Sequence, residues 1–310
     1  MEKTRAKTTR NSLILLLTAT IWGMAFVSQS KGMDYMHPFT FNGVRSLIGA
    51  ASILMYILIS RKIAGDKAAK LDWKLNAKAG LLCGIFLTIA STLQQFGIKY
   101  TSVGKAGFIT TLYIIFVPMF GIFLKKKVAP VVWAAAGMAA VGMYLLCMTE
   151  SLRLGAGDVM VFLCAIAFAI QIMTVDHYAA SIDGAVVSCI QFTVCGVVCC
   201  IGALIWGQPT FGQIQEGLGA LLYAGVLSCG VGYTLQIVGQ KGLNPTVAAL
   251  IMSLESVIAT ISGWIAYKIG FLSTDQTLTP RQIAGCVIVF AAVILVQLPP
   301  EWFRFGKKNA

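Results

Sequence analysis

Charged residues are scarce in this chain, and acidic residues are scarcer than basic ones. Asp, Glu, Lys and Arg make up 12% of the 310 residues, with only 12 acids, and there are two histidines. A soluble protein of this length would need a far larger polar surface. The sequence also has no Walker A pattern, no Cys-x-x-Cys pair and no histidine close to a cysteine. Direct use of ATP and a Cys/His metal site therefore have no support in the sequence.

Long apolar runs make up most of the chain. Hydrophobic residues make up 57% of the chain, and its mean hydropathy is +0.80. Ten runs approach or exceed the ~20 apolar residues that cross a ~30 Å hydrocarbon core, and in lipid such runs must form helices. The predicted spans are 11–30, 39–60, 79–98, 103–124, 129–148, 157–177, 184–206, 217–238, 246–269 and 282–298. The predicted fold class is an all-α integral membrane protein with ten transmembrane helices.

The net charge of +12 is an orientation signal. With a cytoplasmic N-terminus, 17 of the 24 lysines and arginines fall on the cytoplasmic side, so the positive-inside rule places both termini in the cytoplasm. This placement argues against nucleic-acid binding. The run Leu13–Ser30 is longer than the apolar core of a signal peptide, and we expect it to be a retained first helix. All nine cysteines lie in spans, where packing explains Cys195, Cys199 and Cys200 better than a metal or disulfides do.

The chain repeats itself at an offset of 142 residues. Thr92-Leu93-Gln94 recurs as Thr234-Leu235-Gln236, and Gly97 and Lys99 recur as Gly239 and Lys241. Five spans in each copy is an odd number, so the copies must cross the membrane in opposite orientations. We predict two inverted five-helix repeats, residues 11–148 and 157–298. Secondary transporters of this design bind substrate near the bilayer midplane, between the repeats.

Several short patterns resemble the drug/metabolite transporter superfamily, EamA type. They are Ile21–Phe26, Pro38 with Arg45, Phe116–Pro118, Trp133 ahead of Gly137 and Gly142, and Leu278–Gly285. The resemblance covers about residues 11–298 and implies a ten-helix membrane transporter. Two features depart from the family pattern: Ser256 follows Glu255 where the family often has proline, and Ser273–Thr277 extends the approach to span ten.

Polar residues inside spans are the candidates for substrate binding or for the transport pathway, because unpaired polar groups are costly in hydrocarbon. These residues are Trp22, Arg45, Gln94, Gln95, Tyr113, Gln171, Gln191, Tyr233, Gln236 and Glu255. Glu255 lies near the midplane, where burial favours the neutral carboxyl; it either binds protons or cations, or ties helices together. Arg45 either snorkels to the outer interface or ties helices together, or it contacts substrate or a gate.

The remaining candidates also have two interpretations each. The glutamines and Tyr233 either line a central cavity or form interhelical hydrogen bonds. Trp22 is either cavity wall or packing. The 142-residue offset aligns Tyr113 with Glu255, whereas aligning Pro118 with Ser256 shifts the register by four. Spans five and ten look structural, with Gly137, Gly142 and Gly285 allowing close helix approach.

We therefore expect a secondary active transporter in the cytoplasmic membrane that moves a small organic metabolite by alternating access. Amino acids or related amphipathic compounds are the leading substrates, and the resemblance favours export. The alternatives are a channel, a non-transporting sensor or an intramembrane enzyme, although no paired carboxylates or nucleophile with a base lie within the spans. We expect no cofactor and no metal, with proton coupling through Glu255. The expected partners are the substrate and the lipid bilayer, with the chain a monomer or a homodimer.

Overall fold

The computed structural model describes residues 2–65, 71–124, 130–147, 155–273 and 275–297, without the side chains of residues 2–7, 143, 146, 147, 296 and 297. Several basic residues used above for orientation lie outside these ranges, namely Lys67, Lys70, Lys125–Lys127, Arg153, Arg304, Lys307 and Lys308. Within the described residues all regular structure is helical.

The first half of the chain contains α1 (Glu2–Gly32), α2 (Pro38–Ala64), α3 (Trp73–Tyr100), α4 (Val103–Thr111), α5 (Tyr113–Phe123) and α6 (Pro130–Cys147). The second half contains α7 (Ala156–Tyr178), α8 (Gly184–Gly202), α9 (Phe211–Glu216), α10 (Leu218–Leu222), α11 (Tyr233–Gln240), α12 (Pro245–Met252), α13 (Leu254–Lys268) and α14 (Pro280–Gln297). Two π-helical segments, Ala203–Gly207 and Tyr223–Gly232, join α8 and α11 to their neighbours.

Some of these elements follow one another without a loop and form one continuous helical segment. Counted in this way, eight described segments are long and apolar enough to cross a membrane. They coincide with eight of the predicted spans. The runs predicted at 129–148 and 282–298 contain shorter apolar helices, Pro130–Gly142 and Pro280–Leu295. Large apolar side chains cover the outside of the bundle: Phe123, Leu204 and Ile269 are 80%, 74% and 74% exposed. Such a surface suits lipid and would be unfavourable in water.

Two spans are each built from two helices that meet at a short break. The span 103–123 breaks at Leu112 between α4 and α5, and the span 245–268 breaks at Ser253 between α12 and α13. Each begins with a side-chain cap, Ser102 in one and Asn244 in the other, at the 142-residue offset. A cap satisfies backbone N–H groups that have no partner within the helix. The two spans therefore share their start and, within one residue, their break.

Spans at corresponding places in the two halves pack against each other antiparallel. In the pair α2 and α8, Ser46 Oγ lies 3.4 Å from Cys195 Sγ, and Ala50 O lies 3.6 Å from Cys189 Sγ. Moving forward along α2 from Ser46 to Ala50 means moving backward along α8 from Cys195 to Cys189, so the two helices run antiparallel. The pair α4 and α13 shows the same order, with Gly104 beside Thr260 and Gly107 beside Ser256. Glycines on α4 allow this close approach.

The helices α6 and α14 pack against each other, and of the three glycines predicted to allow close approach there, Gly142 and Gly285 meet whereas Gly137 does not. A Cβ added at Gly142 would lie 2.9 Å from Gly285 O and 2.9 Å from Val289 N. The prediction for Gly137 is wrong: it is exposed, and a Cβ added there meets nothing within 4 Å. Helical spacing explains the error, because residues five apart point to different sides of a helix.

Candidate functional site

A small cavity lies inside the bundle and brings most of the sequence candidates together. Eight of the ten predicted residues line it: Trp22, Arg45, Gln94, Tyr113, Gln171, Tyr233, Gln236 and Glu255. Six further residues complete its wall, namely Phe26, Gln29, Thr110, Phe168, Ile172 and Ser228. The space open to the centre of a water molecule is about 30 Å³, which is enough for a water or two. A metabolite therefore requires the helices to move apart.

Glu255 and Tyr113 meet at the cavity wall. The Tyr113 hydroxyl donates to Glu255 Oε1 at 2.9 Å, and the two residues are separated by the 142-residue repeat offset. Each is within the first turn after the break in its span. Oε2 makes no hydrogen bond to another residue that the structure describes. Broken helices place the carboxylate at depth while leaving one oxygen available to a ligand.

Arg45 reaches the same cavity from α2. Its side chain is 5% exposed, so it does not snorkel to bulk water. The guanidinium carbon lies 5.4 Å from the Phe41 ring centroid, a cation–π distance. No described residue forms a hydrogen bond or an ion pair with the side chain, and Nε is buried without an acceptor. Among the residues that the structure describes, this charge thus has no carboxylate partner within 4 Å.

Four glutamines supply most of the remaining polarity. Gln94 Nε2 donates to Thr110 Oγ1 at 3.2 Å, and Gln236 Nε2 donates to Gln171 Oε1 at 3.2 Å. Gln29 lines the wall with its Oε1 buried and without a donor. These amides belong to α1, α3, α7 and α11, so both halves of the chain contribute.

Aromatic rings form the apolar part of the wall. Trp22 and Tyr233 have ring centroids 4.5 Å apart, and Phe192 packs edge-on against Tyr233 at 5.0 Å. Phe26 and Phe168 line the cavity from α1 and α7. Pockets for organic ligands combine aromatic and apolar side chains with placed polar groups, and both kinds of side chain line this cavity.

Two predicted residues lie behind the wall rather than on it. Gln95 Nε2 donates to the backbone oxygen of Gln29 at 3.2 Å, so Gln95 ties α3 to α1. Gln191 Oε1 accepts from Gln171 Nε2 at 3.5 Å, a long hydrogen bond that supports a lining residue. Neither residue borders the cavity.

The repeat offset could have identified lining residues that the sequence reasoning missed. Gln29 and Phe26 lie 142 residues before Gln171 and Phe168, and all four line the cavity. The pairs Gln94 with Gln236 and Tyr113 with Glu255 have the same offset. Thr110, Ile172 and Ser228 carry no such sequence signal. Ser228 belongs to the π-helical segment Tyr223–Gly232, a geometry found often at functional sites.

A second, wider groove lies on the side of the bundle. It is lined by Phe120, Phe123, Ile170, Met173 and His177 among others. Its lining is mainly apolar and lacks the converging polar groups of the central cavity. The central cavity is therefore the candidate site.

An all-helical bundle with a lipid-compatible surface and a polar internal cavity is the architecture of a multi-pass membrane transporter. Comparison with known proteins agrees with that class. The model of the EamA-like transporter family matches residues 10–148 and again residues 155–298. The chain belongs to the EamA-like transporter family, as its sequence patterns suggested, and this membership points to a transporter rather than an enzyme.

Individual relatives extend over nearly the whole chain. An uncharacterized transporter of Archaeoglobus fulgidus is 27% identical over 290 residues, covering 92% of this chain and 84% of that protein. The uncharacterized transporter YwfM of Bacillus subtilis is 25% identical over 295 residues, covering 94% of each chain. A crystal structure of another protein matches with a TM-score of 0.73 at 15% identity, covering 96% of this chain and 99% of that one. This last likeness shows the fold alone.

Proposed function

We propose that this protein is a secondary active transporter of the cytoplasmic membrane that moves a small organic metabolite. The observation that carries the proposal is the internal cavity, which has buried charged and amide groups and aromatic walls from both halves of the chain. Buried polar groups are costly in a membrane and are found mainly where a substrate or ion passes.

The proposed architecture is ten transmembrane helices in two inverted repeats, residues 11–148 and 157–298. Four pairs of lining residues at one offset support it, as do the matched caps at Ser102 and Asn244. Antiparallel packing of α2 on α8 and of α4 on α13 is what a two-fold axis in the membrane plane requires. The basic residues of the sequence favour cytoplasmic termini.

Transport by alternating access requires each end of the cavity to open in turn. In the proposed topology the outer end is held by Lys105 and Asp158, whose Nζ and Oδ2 atoms are 2.6 Å apart between α4 and α7. At the inner end Asn11 Nδ2 donates to Lys241 O at 2.8 Å, between α1 and the loop after α11. Opening outward separates an ion pair, whereas opening inward breaks a neutral hydrogen bond.

Amino acids and related amphipathic compounds are the proposed substrates, because the wall combines aromatic rings with charged and amide groups. Export is the proposed direction, following the family resemblance. Proton coupling would use Glu255, the one carboxylate among the lining residues. The proposed transporter uses no other cofactor and works as a monomer or a homodimer. A single lining carboxylate gives no acid–base pair, which makes an intramembrane enzyme the weaker alternative.

Counterflow in proteoliposomes tests the proposal. Purified protein is reconstituted with an unlabelled amino acid mixture inside, and uptake of each labelled amino acid is measured against protein-free vesicles. A transporter accumulates label transiently by exchange. A channel gives flux without exchange, and a sensor gives binding without flux; either result would contradict the proposal.

A further inference from the structure

Two opposite charges border one narrow cavity without meeting. Arg45 and Glu255 are 5% and 4% exposed, and no ion pair joins them within 4 Å. Tyr233 lines the same cavity as both residues. Glu255 accepts one hydrogen bond, from Tyr113, while the Arg45 side chain donates none to any described residue. Removing a charge from water costs several kcal/mol unless a partner compensates it.

Four buried polar atoms of the lining residues, one of them on the charged Arg45 itself, also have no hydrogen-bond partner among the residues that the structure describes. Two buried donors lack acceptors, Trp22 Nε1 and Arg45 Nε. Two buried acceptors lack donors, Gln29 Oε1 and Gln236 Oε1. An unsatisfied buried group costs about 1–3 kcal/mol. The wall thus offers donors and a positive charge together with acceptors and a negative charge.

From this arrangement, and resting on the proposed transport function, we infer that the substrate is a zwitterion whose carboxylate binds Arg45 and whose ammonium binds Glu255. The carboxylate accepts from the guanidinium fork and from Trp22 Nε1. The ammonium donates to Glu255 Oε2 and to the free glutamine oxygens. The apolar part of the substrate packs on Phe26 and Phe168. One ligand would thereby satisfy both charges and the three unpaired neutral groups Trp22 Nε1, Gln29 Oε1 and Gln236 Oε1.

A purely structural role for Arg45 is the competing explanation, since it also packs on Phe41. A packing residue would influence stability without discriminating between ligands that differ by one charge. An anion-binding residue would discriminate between them. Mutation of Arg45 should therefore change the ligand selectivity if Arg45 binds the carboxylate, and should leave the ligand selectivity unchanged if Arg45 only packs.

The test is equilibrium binding to the purified full chain in nanodiscs. The probes are L-leucine and L-phenylalanine, each with its amide, which removes the carboxylate, and its N-acetyl derivative, which removes the ammonium. We expect each blocked derivative to bind about thirtyfold more weakly than its parent, or worse, because a buried charge pair is lost. If the derivatives bind as well as their parents, or if none of the six compounds binds, the inference fails.

Two variants make the test specific to the residues. In Arg45→Gln, the preference for the amino acid over its amide should fall to within about threefold, while the preference over the N-acetyl derivative persists. Glu255→Gln should give the opposite pattern. The control Arg61→Gln, on the same helix, should keep both preferences. Arg45→Lys, which keeps the charge and loses the bidentate fork, provides a second variant if Arg45→Gln does not fold.

Failure of the inference and failure of the proposed function give different results. The expected selectivity without counterflow in proteoliposomes would contradict transport and leave the zwitterion site standing. Counterflow of a compound that lacks one of the two charges, with no binding of the six probes, would support transport and overturn the site.

Discussion

Replacing Glu255 with glutamine should remove transport while leaving the fold intact. Glutamine has the shape of glutamate, and its amide oxygen can still accept from the Tyr113 hydroxyl that now lies 2.9 Å from Oε1. A hydrogen bond to a charged acceptor is worth about 1.5–3 kcal/mol and a neutral one about 0.5–1.5 kcal/mol. The variant loses about 1 kcal/mol at that bond.

The cost of a buried charge offsets this loss. An ionised carboxylate at 4% exposure is destabilised by several kcal/mol, and the variant has no such penalty. The free energy of unfolding of Glu255→Gln should therefore lie within about 1 kcal/mol of wild type or exceed it. Transport should fall about thirtyfold or more, since a buried charged contact contributes about 2–5 kcal/mol.

Counterflow measured across a pH series, with folded protein quantified in the same vesicles, checks both parts. Wild-type flux should vary with pH and the variant's residual flux should not, because the amide does not titrate. Glu216→Gln provides the matched control, as the same change at an exposed position of α9. If Glu255→Gln keeps wild-type flux and the wild-type pH profile, Glu255 is structural and the proton-coupling idea is lost with it.

Three further predictions rest on the packing and on the proposed symmetry. Gly142→Leu should lower the yield of folded protein, because the Cβ atom of the new leucine would lie 2.9 Å from the backbone of α14. Gly137→Leu should fold normally, and size-exclusion profiles of the two variants compare their yields of folded protein. Gln94→Ala and Gln236→Ala should both weaken apparent substrate affinity in flux assays, and an effect confined to stability would contradict the shared cavity. A cysteine introduced at Arg153 should be labelled from outside intact cells, and labelling only after permeabilisation would reverse the topology.

Most residues that line the candidate site could be predicted from sequence, because polar side chains are rare in apolar spans. Gln94, Gln236 and Glu255 stand out for that reason alone, and each borders the cavity. Gln95 is also a polar residue in an apolar span, but its side chain donates to the backbone oxygen of Gln29 and does not border the cavity. Adjacent helical residues differ in direction by about 100°, so composition finds both glutamines and only the fold separates them.

The sequence by itself determined the class of protein, because the length and apolarity of its runs leave a bilayer-spanning helix as the only structure that satisfies the backbone. It also determined the family and the repeat offset. Only the tertiary structure decided which side chains meet. The contact between Tyr113 and Glu255, the unpaired charge of Arg45 and the open side of Gly137 depend on helix rotation and on the breaks at Leu112 and Ser253. Hydropathy does not contain that information, because it records how apolar a segment is and not which way its residues face.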